Sequence, residues 1–240
     1  NNVKIIDCSW HMPITRRNGL EEYKKQHIPN SIFFDLDENS KKDTKLPHML
    51  VQEEDWNNIV SKMGINNTDK VVIYDNSDVI SSCRLWFNLI YFGHNAKLVH
   101  VLNGGFQKWL SENKRVTDQV SRIDNSNYKS LEKKELVKDK IMIDKNLDVQ
   151  DFKIIDARSK DRFHGKIPEP REGLRSGSIR NSFCIPFNTC LNEDRTFKKK
   201  SELEKIFKEC LKDLNEKNIV FSCGSGVTAC VLALAYSLIN

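Results

Sequence analysis

A length of 240 residues fits two domains of ordinary size, each able to bury its own core. The 38 basic and 33 acidic residues leave a net charge of +5, and the lysine runs carry no interleaved aromatic residues, which argues against nucleic-acid binding. The seven cysteines form no CxxC pair, and the longest apolar stretch, Val227–Ile239, is too short for a bilayer. We expect no metal site, disulfide framework or membrane association, and a reducing cytoplasmic location, or a mitochondrial one if the source is eukaryotic.

The first half alternates short apolar runs with amphipathic stretches. Val3–Asp7 and Lys70–Asp75 are rich in β-branched residues and end on an aspartate, which predicts buried strands that lead into loops. Gln52–Met63 and Ser81–Phe92 carry apolar residues at three- and four-residue spacing and predict helices. Ala96–Leu102 then predicts one more strand, followed by a glycine-containing turn and a short helix with a tryptophan.

Three stretches of the second half match stretches of the first half in the same order. The pairs are Val3–Asp7 with Phe152–Asp156 at an offset of 149 residues, His27–Phe34 with Ser178–Ile185 at 151, and Lys70–Asp75 with Asn218–Cys223 at 148. Because the offset is nearly constant, the sequence indicates a duplication. Each half is therefore predicted to be an α/β domain with a mainly parallel sheet flanked by helices.

The boundary is predicted in the polar stretch between about Glu112 and Lys140. The predicted domains are residues 1–125 and 140–240, joined by a linker at residues 126–139. Two further helices are predicted at Ser201–Leu214 and Val227–Ile239. The second half has no counterpart of Ala96–Leu102 or of the short helix that follows it, so we expect the natural polypeptide to continue beyond residue 240 with a final strand and helix.

Cys223 stands at a predicted strand-to-helix turn. Two glycines in Cys223–Gly226 let backbone amides curve around one point, and the helix predicted from Val227 onward adds the positive end of its dipole, so the turn can hold an anion. The first half has Asp75 at the matching position, so only the second half can use a thiol. The alternative, a buried structural cysteine, is our interpretation of Cys184, Cys190, Cys210 and Cys230.

The run Cys-Gly-Ser-Gly-Val-Thr-Ala at residues 223–229 resembles the active-site loop of the 3-mercaptopyruvate sulfurtransferases of the rhodanese superfamily. The resemblance extends over almost the whole chain, with individually weaker matches at Asp7–Trp10, His27–Pro29, Phe33–Asp37, Asn103–Phe106, Asp156–Arg158 and Pro168–Gly173. The resemblance implies two tandem rhodanese-like domains, of which only the second is catalytic. It also implies transfer of sulfane sulfur from 3-mercaptopyruvate to cyanide or to a thiol such as thioredoxin, through a persulfide on Cys223, in a monomer without a cofactor.

The resemblance further implies roles for particular side chains. Arg162 and Arg171 would hold the carboxylate and keto oxygens of the donor, since a planar guanidinium can grip a carboxylate through two parallel hydrogen bonds. Ser225, His48 and Asp37 would form a relay that manages protons. The loop itself would complete the binding site with Gly224, Gly226, Val227 and Thr228. The alternatives are surface ion pairs for the arginines and a packed loop histidine for His48.

The residues after the cysteine also bear on the choice of donor. Rhodanese-type loops carry basic residues there, which suit the double charge of thiosulfate, whereas Gly224 and Ser225 are neutral and favour mercaptopyruvate. The alternatives kept open are a thiosulfate:cyanide sulfurtransferase and a non-catalytic sulfur-carrier or protein-binding module. A cysteine phosphatase loop would need an arginine six positions after the cysteine, where this chain has Ala229.

Overall fold

The computed structural model describes residues 3–216 and 218–240. The chain divides into two compact units, unit 1 at Asn1–Leu136 and unit 2 at Val137–Asn240. The division falls inside the segment predicted as a linker. Each unit contains a sheet of parallel strands with helices around it, which confirms the predicted α/β class.

Unit 1 is built on a four-stranded parallel sheet in the order β2-β1-β3-β4. Its strands are β1 (Val3–Asp7), β2 (Ser31–Phe33), β3 (Lys70–Tyr74) and β4 (Val99–Val101). Its helices are α1 (Gly19–Lys25), α2 (Glu53–Lys62), α3 (Ser82–Tyr91) and α4 (Gly105–Ser111). Helices α2 and α3 bury their apolar faces in the core, where the ring of Trp56 stacks on Phe92 with centroids 4.6 Å apart. The strands predicted at β1, β3 and β4 and the helices predicted at α2, α3 and α4 are confirmed.

The polar segment after α4 lies along unit 1. Tyr128 is buried, and its hydroxyl lies 3.2 Å from Nδ1 of His94. The backbone N–H of Leu131 donates to the carbonyl oxygen of Phe92 at 3.1 Å, and that of Lys133 donates to Tyr91 at 2.7 Å. An aromatic anchor and backbone hydrogen bonds thus fix part of a segment whose composition is that of a flexible linker.

Unit 2 is built on a three-stranded parallel sheet in the order β6-β5-β7. Its strands are β5 (Lys153–Asp156), β6 (Phe183–Cys184) and β7 (Ile219–Ser222), and its helices are α5 (Lys140–Val149), α6 (Lys160–Phe163), α7 (Lys200–Lys208) and α8 (Thr228–Ser237). Helices α7 and α8 contribute Phe207 and Leu232 to the core, where both residues cluster with Ile155 of β5. Strand β6 is shorter than the matched stretch 178–185 because Ser182 turns back, its N–H donating to the carbonyl oxygen of Ile179 at 3.2 Å.

Three further observations concern the chemistry that the described residues can support. No helix in residues 3–216 and 218–240 is long and apolar enough to cross a membrane. The same residues contain no group of three or more His, Cys, Asp or Glu side chains that could hold a metal ion. None of the seven cysteines, all of which lie within the described residues, forms a disulfide bond.

Candidate active site

The loop that carries Cys223 joins strand β7 to helix α8. The backbone N–H of Gly226 donates to the Sγ atom of Cys223 at 3.1 Å. Gly226 has a φ of 74°, which side-chain-bearing residues adopt only at a cost of about 1–2 kcal/mol, so a glycine is needed to present this N–H. Val227 is buried after it, and Thr228 is the first residue of α8. The turn therefore aims an amide dipole at the sulfur and stabilises negative charge there.

Five charged side chains near the loop form what we call the arginine cluster: ion pairs join four of them, and the fifth, Arg171, hydrogen-bonds to the loop itself. Its members are Asp156, Arg158, Arg162, Glu169 and Arg171. Arg158 donates to both carboxylate oxygens of Asp156, from Nε at 3.0 Å and from Nη2 at 2.6 Å, and its Nη1 donates to Glu169 at 2.7 Å. Arg162 donates to Glu169 from Nε at 3.2 Å and from Nη2 at 2.6 Å. Hydrogen bonds from Arg162 hold the pKa of Glu169 below its usual range.

Both predicted donor-binding arginines reach the loop beside Cys223. Arg171 donates from Nη2 to the carbonyl oxygen of Gly224. A Cβ atom at position 224 would lie 3.2 Å from Nη2 of Arg162 and 3.9 Å from Nη2 of Arg171. Gly224 thus leaves room for two guanidinium groups beside the residue that follows Cys223, and Ser225 comes next on the same loop. Sequence reasoning did not single out Glu169 or Arg158; the available signal for Glu169 was an acidic residue between two prolines, two positions before Arg171.

His48 and Asp37 come together in unit 1, whereas Ser225 belongs to unit 2. Nε2 of His48 lies 2.9 Å from Oδ1 of Asp37, and the indole N–H of Trp10 donates to Oδ2 of Asp37 at 2.9 Å. The hydrogen bond with His48 holds the pKa of Asp37 below its usual range. The imidazole is buried and contacts the edge of the Trp10 ring, with centroids 4.8 Å apart. His48 is therefore packed, as the alternative interpretation predicts, and is also paired with a carboxylate.

The matching loop of unit 1 is filled by the chain's own carboxylate. Asp75 is buried, and its Oδ1 accepts from the N–H of Ser77 at 2.8 Å while its Oδ2 accepts from the N–H of Ser82 at 3.0 Å. The Ser82 amide stands at the start of α3, where backbone N–H groups attract negative charge, and the Ser77 amide lies on the loop before that helix. Each repeat thus has its own anion-holding turn, which carries an aspartate in unit 1 and a cysteine in unit 2.

Unit 2 contains four cysteines besides Cys223. Burial raises the pKa of Cys184 to about 11 and that of Cys190 to about 12. Burial also raises the pKa of Cys210, and the thiol of Cys230 donates to the carbonyl oxygen of Gly226 at 3.1 Å. A raised pKa keeps a thiol protonated and unreactive at neutral pH. Cys190 and Cys230 are buried, as the structural interpretation predicts, whereas Cys184 and Cys210 are only half-buried, so burial was wrongly predicted for those two.

Comparison with known proteins places these features in a family. The rhodanese-like domain matches this chain twice, at residues 1–112 and 139–239. The chain is 37% identical over 255 residues to the mitochondrial thiosulfate/3-mercaptopyruvate sulfurtransferase 1 of Arabidopsis thaliana, covering 97% of this chain and 66% of that protein. It is 36% identical to the 3-mercaptopyruvate sulfurtransferase of Mus musculus, over 97% of this chain and 78% of the relative. It is 38% identical to the thiosulfate sulfurtransferase of Rattus norvegicus, over 98% and 78%.

Solved structures agree with the sequence relatives. The chain superposes on SseA from Escherichia coli, described as having the rhodanese fold of the 3-mercaptopyruvate sulfurtransferases, with a TM-score of 0.88 and 28% identity, over 99% of this chain and 88% of that one. Tum1 from Saccharomyces cerevisiae matches with a TM-score of 0.89 and 28% identity, over 99% and 83%. The prediction of two tandem rhodanese-like domains is confirmed.

Proposed function

This chain belongs to the rhodanese family of sulfurtransferases, and on that premise we propose that it moves sulfane sulfur from 3-mercaptopyruvate to a thiol or cyanide through a persulfide on Cys223. One observation carries the proposal. Two arginines converge on Gly224, the residue after a cysteine whose sulfur accepts a backbone N–H. A nucleophile and an anion-binding pair therefore meet at one loop of unit 2, as attack on an anionic sulfur donor requires.

The first half-reaction uses Cys223 as the nucleophile. Its thiolate attacks the sulfur of 3-mercaptopyruvate, a new S–S bond forms, and the C–S bond of the donor breaks with its electron pair left on carbon. The resulting enolate takes up a proton and leaves as pyruvate, while the persulfide stays on the enzyme. The N–H of Gly226 stabilises charge on the cysteine sulfur during this exchange, and the product of the half-reaction is a covalent enzyme persulfide.

The second half-reaction returns the thiol. An acceptor thiolate attacks the outer sulfur, the S–S bond to Cys223 breaks, and the sulfur leaves on the acceptor as a new persulfide. Cyanide would take the same sulfur as thiocyanate. We propose thioredoxin or a similar thiol as the acceptor in the cell. We also propose that the protein acts as a monomer in the cytoplasm, or in mitochondria, the location that the name of one plant relative gives.

Arg162 and Arg171 would orient the donor. A guanidinium has five N–H donors. Arg162 gives two of them to Glu169, and Arg171 gives one to Gly224, so both keep donors for a ligand. A bidentate contact with the donor carboxylate would place its C–S bond against Cys223. Gly224, Gly226, Val227 and Thr228 would line the rest of the donor site.

Proton transfer is the remaining requirement. The His48–Asp37 pair has the geometry of a general acid or base oriented by a carboxylate, with 2.9 Å between Nε2 and Oδ1. Trp10 fixes the second oxygen of that carboxylate at 2.9 Å, so the pair holds one orientation. We propose that His48 and Asp37 handle protons during turnover, and that the Ser225 hydroxyl does so on the Cys223 loop.

A steady-state comparison of donors tests the proposed function. With cyanide as acceptor, 3-mercaptopyruvate should be turned over with a higher kcat/KM than thiosulfate. The second candidate, a thiosulfate sulfurtransferase, is favoured by the rat relative of that name at 38% identity, and it predicts the opposite order. A protein that turns over neither donor would instead be a non-catalytic sulfur-carrier or binding module.

A further inference from the structure

We propose that Glu169 determines donor selectivity: its carboxylate lowers the net charge of the arginine cluster to one positive charge, which suits a monocarboxylate donor and disfavours the thiosulfate dianion. The inference rests on the proposed function, because it concerns the same donor site. It adds a residue outside the loop sequence on which the donor preference was predicted.

The geometry of Glu169 is unusual for a carboxylate in a surface loop. Its side chain is only 4% exposed, and its two oxygens bridge Arg158 and Arg162. Oε1 accepts from Arg158 at 2.7 Å and from Arg162 at 3.2 Å, while Oε2 accepts from Arg162 at 2.6 Å. Such a buried, multiply bonded carboxylate stays ionised because the charged form is the one that its partners stabilise.

The charges of the cluster decide what kind of anion it attracts. Arg158 is already paired with Asp156, with 2.6 Å between Nη2 and Oδ2, so that pair is neutral. Glu169 then offsets one of the two remaining guanidinium charges, those of Arg162 and Arg171. One net positive charge is left beside Gly224, which matches a donor with one carboxylate. Removing the charge of Glu169 would leave two, which matches a dianion better because Coulomb attraction grows with the product of the charges.

Glu169 also positions Arg162, and this second effect must be separated from the first. A carboxylate that only orients the guanidinium would, when removed, weaken binding of every anionic donor in similar proportion. A carboxylate that sets the net charge would, when removed, weaken the monoanion relative to the dianion. The ratio of the two kcat/KM values therefore moves in the second case and stays constant in the first.

The experiment compares Glu169→Gln with wild-type protein, using 3-mercaptopyruvate and thiosulfate as donors at fixed ionic strength. Glutamine keeps the shape and one hydrogen-bond acceptor but removes the charge. We expect the ratio of kcat/KM for thiosulfate to that for 3-mercaptopyruvate to rise about tenfold. Glu169→Asp keeps the charge at a shorter reach, so it should lower both efficiencies and leave the ratio within about twofold of wild type.

Glu172→Gln is the matched control, since Glu172 is exposed on the same loop and its loss changes the total charge equally. Its ratio should equal that of wild type. A Glu169→Gln ratio no different from that of Glu172→Gln would overturn the inference.

Arg158→Gln is the second variant if circular dichroism shows that Glu169→Gln does not fold. It changes the cluster charge in the opposite direction, so the ratio of kcat/KM for thiosulfate to that for 3-mercaptopyruvate should fall. An unchanged ratio would contradict the inference. Wild-type protein that turns over neither donor would refute the proposed function instead.

Discussion

Replacing Arg171 by lysine tests whether a planar guanidinium orients the donor. Arg171 is exposed, donates from Nη2 to the carbonyl oxygen of Gly224, and so holds its other N–H groups beside the Cys223 loop. Lysine keeps the charge but cannot donate two parallel hydrogen bonds to one carboxylate. A hydrogen bond to a charged group contributes about 1.5–3 kcal/mol, and each 1.4 kcal/mol corresponds to a factor of ten. We therefore expect kcat/KM for 3-mercaptopyruvate to fall at least about tenfold.

The assay is the initial rate of pyruvate formation with cyanide as acceptor, at donor concentrations below KM. Arg175→Lys is the matched control, because Arg175 is an exposed arginine four residues further along the same loop. It should retain the wild-type kcat/KM. A thermal melt of each variant separates a misfolded protein from a weakened donor site. Unchanged kcat/KM in both Arg171→Lys and Arg162→Ala would show that the donor binds elsewhere.

Two further predictions concern the loop charge and the pH dependence of stability. Gly224→Arg combined with Ser225→Lys adds two positive charges beside Arg162 and should move donor preference toward thiosulfate; an unaltered donor ratio would show that loop charge does not select the donor. Burial raises the pKa of Asp7 from 3.8 to about 6, so the folded protein binds a proton there that the unfolded chain has lost, and unit 1 becomes less stable as the pH rises through that range. Between about pH 4.5 and 7.5 the loss should be about 2 kcal/mol in wild type and absent in Asp7→Asn. Urea unfolding followed by tryptophan fluorescence measures it, since all four tryptophans lie in unit 1, and equal pH slopes in the two proteins would contradict the assignment to Asp7.

Much of the fold follows from local patterns in the sequence. Strands β1, β3, β5 and β7 are β-branched runs, and the structure places them next to one another in each sheet, with β1 paired to β3 and β5 paired to β7. Repetition at nearly constant spacing identifies the duplication without any knowledge of contacts. Cys223 can be proposed as the nucleophile from local sequence alone, because a strand, two glycines and a helix lie within a few residues of it.

The parts that sequence patterns do not predict depend on contacts between distant residues. Glu169 lies 11 residues from Arg158 and seven from Arg162, in a loop without periodicity, so only the folded chain shows that it bridges them. The segment that holds Tyr128 has the composition of a linker. Its backbone nevertheless hydrogen-bonds to Tyr91, the last residue of α3, and to Phe92, which follows it. Hydrogen bonds formed by the backbone leave no trace in composition, which is why the segment's attachment to unit 1 was not predicted.

The most direct test of the central claim is the mass of the protein after mixing with 3-mercaptopyruvate in the absence of an acceptor. Wild-type protein should gain the mass of one sulfur atom, carried by the peptide that contains Cys223, and should lose it when cyanide is added. Cys223→Ser should gain nothing and should have no turnover. A sulfur adduct on Cys184, Cys190, Cys210 or Cys230 in place of Cys223, or full activity of Cys223→Ser, would contradict the mechanism.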